Sequence, residues 1–84
     1  MSFFVHGMIF GAEVRSNYII HQLVGGDSSH EDFLDGYYFR KNDWVSWGCR
    51  DLVGKSVRLT YRLSDDPSSG QRINVVTSVQ PEKR

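Results

Sequence analysis

The chain has little cysteine, no net charge and no long apolar run. Cys49 is the single cysteine among 84 residues, so no internal disulfide can form. The usual support of a small secreted domain is therefore missing. No apolar stretch approaches the roughly 20 residues a helix needs to cross a bilayer. Residues 1–7 show no basic segment leading into an apolar one, so no signal peptide is expected. These absences predict a cytoplasmic protein with no membrane association. Lys plus Arg and Asp plus Glu number 10 each. A zero balance argues against strong nonspecific binding of nucleic acid, which draws on excess positive charge. The length allows one modest core, read as a single domain over residues 1–80 with a polar tail over 81–84.

What is present is aromatic, at 13% of residues, and its charges are segregated. Asp27, Glu31, Asp32 and Asp35 fall in one short stretch without Lys or Arg. Residues 36–62 carry Arg40, Lys41, Arg50, Lys55, Arg58 and Arg62 against Asp43 and Asp51. This pattern reads either as a solvated surface or as a basic face opposed by an acidic loop.

Breakers divide the chain into five β-like runs. They cover Ser2 to Phe10, Asn17 to Val24, Gly36 to Lys41, Lys55 to Leu63 and Arg72 to Val79. The fourth alternates most clearly, with Val57, Leu59, Tyr61 and Leu63 on one face and Arg58, Thr60 and Arg62 on the other. Residues 27–35 read as an acidic loop. Asn42 to Val53 reads as a loop with a short helical turn, and Ser64 to Gly70 as the turn of a closing hairpin. Five short strands favour closure, because closure removes the exposed edges of an open sheet. The expected fold is all-β: a small five-stranded antiparallel barrel of the oligonucleotide-binding (OB) type, with a short helical turn or loop between strands three and four. An SH3-like barrel is the competing arrangement.

Several segments resemble the cold-shock domain. Gly7-Met8-Ile9-Phe10 is similar to that family's opening Gly-x-Val-Lys-Trp-Phe. Ser16-Asn17-Tyr18-Ile19-Ile20-His21 lies over its Lys-Gly-Phe-Gly-Phe-Ile motif, and Gly36-Tyr37-Tyr38-Phe39-Arg40 over Asp-Val-Phe-Val-His. The closing pattern is matched by Leu52-Val53-Gly54-Lys55-Ser56-Val57 and by Gly70 through Val76. The chain departs from the family where the two motif glycines become Asn17 and Ile19. Gly11 replaces a tryptophan, and His21 takes a core position. The resemblance implies a five-stranded barrel that binds single-stranded RNA or DNA. It places Tyr18, Ile20, Tyr38 and Arg40 on the ligand side, with Phe10 nearby.

Alternation agrees that Tyr18 shares a face with Ile20, and Tyr38 with Arg40. Aromatic stacking beside Lys or Arg is how single strands are held. Lys41, Arg58 and Arg62 complete the candidate basic set. Tyr37 and Phe39 fall on the opposite face, as core. Trp44 and Trp47, three residues apart, could plug the barrel or form an exposed interface patch.

Catalysis is not expected. His6, His21, His30 and Cys49 form no spaced metal-ligand set, and no cofactor motif or phosphate loop is present. Cys49 has no CxxC partner and no identifiable base. Two functions follow. One is modest single-stranded nucleic-acid binding. The other is a protein-interaction module or small accessory subunit on an OB-like or SH3-like barrel, in which an exposed strand edge could pair two copies as a homodimer.

Overall fold

The computed structural model describes residues 2–24, 36–67 and 69–82. The acidic loop expected over residues 27–35 lies outside these. Five strands are present: β1 Phe3–Arg15, β2 Tyr18–Val24, β3 Tyr37–Arg40, β4 Ser56–Asp65 and β5 Arg72–Pro81. Helix α1, Lys41–Ser46, and a 3-10 turn, Cys49–Leu52, connect β3 to β4.

The strands close into a ring in the order β1-β2-β3-β5-β4. Four neighbouring pairs are antiparallel, but β3 and β5 run parallel, with Tyr37 opposite Asn74 and Tyr38 opposite Val75. This corrects the expectation of an antiparallel barrel, and the reason is arithmetic. Strand direction can alternate around a closed ring only if the number of strands is even. With five, one neighbouring pair must run parallel, and the α1 connection lets it be β3 and β5.

Strand β1 is longer than the sequence suggests. Gly11 looks like a terminator, yet the strand continues to Arg15. Its register with β2 shifts between Phe10 and Glu13, and Gly11 has φ +65°. Such a bulge bends a strand without ending it. Pairing with β4 covers Phe3 to Met8 and pairing with β2 covers Met8 to Arg15, so the bend lets one strand close the ring.

Alternation decides what enters the core. Val5 and Ile9 of β1, Ile19 of β2, Tyr37 and Phe39 of β3, Val57, Leu59 and Tyr61 of β4, and Val76 of β5 are buried together. Cys49 joins them from the 3-10 turn, and Trp44, Trp47 and Leu52 pack against the same cluster. A second, smaller cluster of Ile20, Tyr38, Ile73 and Val75 lies apart from the first. Gly36, which leads into β3, is needed for space: a Cβ there would come within 2.7 Å of the His21 carbonyl oxygen and the Gln22 amide nitrogen.

Candidate nucleic-acid interface

Cross-strand pairing puts Tyr18 opposite Arg40 and Ile20 opposite Tyr38. Arg62 of β4 stands opposite Val75 of β5, which in turn neighbours Tyr38. The four residues expected to share a face do so, yet they are not equally available. Ile20 is 3% exposed and Tyr38 2%. Both pack with Ile73 and Val75. The Tyr18 ring meets Tyr38 edge-on at 5.3 Å, and the Arg15 guanidinium donates to the Tyr38 hydroxyl at 3.1 Å. Ile20 and Tyr38, expected on the ligand side, are therefore closed to a ligand. The parallel β3–β5 pairing sets apolar side chains beside Tyr38, and these remove its ring from solvent.

What stays open lies at the end of this face. Asn17, Tyr18, Arg40, Lys41 and Asn42 line a cleft of about 410 Å³. Ser16, with φ +51°, turns the chain from β1 into β2 and brings Asn17 to the start of α1. There the Lys41 N–H donates to the Asn17 carbonyl at 3.1 Å. Arg40 lies 4.0 Å from Asp43 in an exposed pair, a contact worth about 0–1 kcal/mol. Lys41 has no carboxylate partner among the described residues. Among the described residues the lining thus combines one aromatic ring, two cations and two amides, with no acidic side chain. Its volume is near the lower end for small-ligand sites.

The other candidate residues lie elsewhere. Phe10 is 43% exposed, on β1 opposite Gln22. Arg58 holds its guanidinium over the Phe4 ring at 5.3 Å from the centroid. Trp44 and Trp47 do not form an exposed patch. Trp47 meets Phe39 at 6.4 Å, nearly perpendicular, and both indoles are half-buried against the main core. Three-residue spacing on a single helical turn aims them at the same side, here towards the ring interior.

The use of His21 is visible only in the fold. It is fully buried. Trp44 Nε1–H donates to its Nε2 at 2.9 Å, so Nε2 is the unprotonated nitrogen. Nδ1 then carries the hydrogen and donates to the carbonyl of Gly11. A buried polar ring is tolerated because both nitrogens are satisfied. The position already stood out as a histidine in a core place, but its partners are distant in sequence. The buried Cys49 thiol is pushed up to about 11, chiefly by burial and secondarily by the Asp43 carboxylate, which is the reverse of an activated nucleophile. Among the described residues no three His, Cys, Asp or Glu side chains gather as a metal ion requires. Nor is any helix among them long and apolar enough to cross a membrane.

Compared with known proteins, the chain matches no family model, no curated protein and no solved structure.

Proposed function

We propose that this chain binds single-stranded nucleic acid with modest affinity through the cleft between the β1–β2 turn and the start of α1. One observation carries the reading: Tyr18, Arg40 and Lys41 line the same cleft, with two asparagine amides beside them. An aromatic ring offers a base a stacking surface worth about 1–3 kcal/mol, and adjacent cations follow the phosphates. The ring order, with a helical connection between β3 and β4, supports an OB-type barrel. The similarity to the cold-shock domain supports the same ligand. The zero net charge sets affinity low, since few phosphates are neutralised.

Anisotropy of a labelled single-stranded oligonucleotide, titrated at low and at moderate salt, tests the reading. Saturable binding that weakens with salt is expected. Absence of binding at low salt, where attraction is strongest, removes the function and favours a protein-binding barrel.

A further inference from the structure

The outer face of β1 presents Phe4, His6, Met8 and Phe10 in alternation. Phe4 is 56% exposed, the most open aromatic ring on this face. Beside it Phe4, Arg58, Thr60, Ser78 and Gln80 line a second cleft, of about 210 Å³, over β1, β4 and β5. This is a different part of the ring from the Tyr18–Arg40 cleft, which lies on β2 and β3. Strand β1 links the two, because its first half pairs with β4 and its second half with β2.

The chemistry of this second cleft is specific in kind. The Arg58 guanidinium lies over the Phe4 ring, a cation–π contact that restrains an otherwise mobile side chain. No carboxylate pairs with Arg58 among the described residues, and the nearby Glu82 is engaged with His6 at 3.5 Å. Thr60, Ser78 and Gln80 add two hydroxyls and an amide to the same cleft. An unneutralised, pre-oriented guanidinium with hydroxyls around it complements an anionic oxygen, and its planar face complements a base.

We infer that this β1–β4–β5 face is a second contact for the same single strand, in addition to the Tyr18–Arg40 cleft. One base stacks on the Arg58–Phe4 pair and its phosphate meets the Arg58 N–H groups and the Thr60 and Ser78 hydroxyls. The exposed Phe10 and Met8 side chains line the path along β1 between the two contacts. The inference rests on the reading of the first cleft. It adds that the strand runs along β1, so long ligands feel Arg58 and short ones do not.

The test uses labelled oligothymidylates of about four and about twelve nucleotides, spanning the site sizes common for OB-type binders. Wild type, Arg58→Ala and Arg40→Ala are titrated with each. Arg58 is exposed, so its replacement leaves the fold intact. Arg58→Ala is expected to weaken the longer ligand about tenfold, the effect of losing one stacked base, and to leave the shorter one unchanged. Arg40→Ala is expected to weaken both. If Arg58→Ala changes neither ligand, or both equally, the second contact is wrong while Arg40→Ala still reports on the first. If wild type binds neither length, both readings fail together.

Discussion

The Trp44 indole nitrogen lies 2.9 Å from Nε2 of His21, two residues 23 apart in the chain. This bond joins α1 to β2, and through Nδ1 the same imidazole holds the Gly11 carbonyl at the β1 bulge. One buried ring thus ties together the bend that closes the sheet and the helix whose first residues wall the candidate cleft. It also stacks near Trp44, with the ring planes 21° apart, and takes Phe39 edge-on at 5.3 Å.

Trp44→Phe keeps an aromatic ring but deletes the pyrrole part of the indole with its N–H, leaving Nε2 buried without its donor. A stranded buried polar atom costs about 1–3 kcal/mol. Urea unfolding is expected to show a loss of that size with an unchanged slope. Stability within experimental error of wild type would mean that the bond contributes nothing.

Two glycines separate backbone strain from crowding. Gly11, at φ +65°, has open space around it, whereas Gly36, at φ +121°, has no room for a Cβ. Gly11→Ala should cost about 1–2 kcal/mol, the cost of placing an L side chain in that region. Gly36→Ala should cost more, about 3 kcal/mol or above, because the His21 carbonyl must also move. Thermal melts that rank the two in the opposite order would contradict the geometry at the entry to β3.

Tyr38 carries a prediction opposite to the one the sequence suggests. A stacking platform at the surface could be cut to Ala with the fold nearly intact. Buried at 2% exposure, with its hydroxyl bonded to Arg15, Tyr38 behaves as core. Tyr38→Ala is expected to destabilise by about 3–5 kcal/mol, as truncating a buried aromatic does. A Tyr38→Ala protein as stable as wild type would restore it to the surface.

Cys49 links stability to alkaline pH. Its thiol is pushed up from 9.0 to about 11 in the fold. Between those values the unfolded chain loses the proton and the folded one keeps it, so the unfolded state binds fewer protons and stability falls as pH rises. The contribution is intact below about 9 and is lost on the way to about 11. Comparing the pH dependence of unfolding for wild type and Cys49→Ala isolates it from the tyrosines. The variant should lose less stability over that window. In parallel, a thiol reagent near neutral pH should label Cys49 only when the protein is unfolded. Rapid labelling of the native protein would contradict its burial.

The strands were legible because runs of β-branched and aromatic residues end at turn residues, and in the run that becomes β4 they also alternate. Burial follows that alternation in β4 from Val57 to Arg62, and in β1 it alternates from Phe4 to Phe10. The helical connection was legible from the break in that period after Lys41. The rest depends on relationships that local pattern does not carry. Gly11 reads as an end because a bulge looks like a terminator until its partner strand is known. Alternation assigns Ile20 and Tyr38 to a face but does not say that Ile73 and Val75 will lie on it. That follows from the parallel pairing with β5, a consequence of ring closure. Of the candidate site, Tyr18, Arg40 and Lys41 come together because the β1–β2 turn meets α1. Phe10, Arg58 and Arg62 are distributed over the rest of the outer surface.

The most direct measurement is the salt dependence of oligonucleotide binding for wild type and for Arg40→Ala/Lys41→Ala. Both side chains are exposed, so the double variant folds as wild type does. The account predicts that wild type binds saturably at low salt, and that the variant binds at least tenfold more weakly with a logarithmic salt slope smaller by about two, one for each lost phosphate contact. Equal affinity and equal slope for the two proteins would contradict the claim that this cleft holds a nucleic-acid strand.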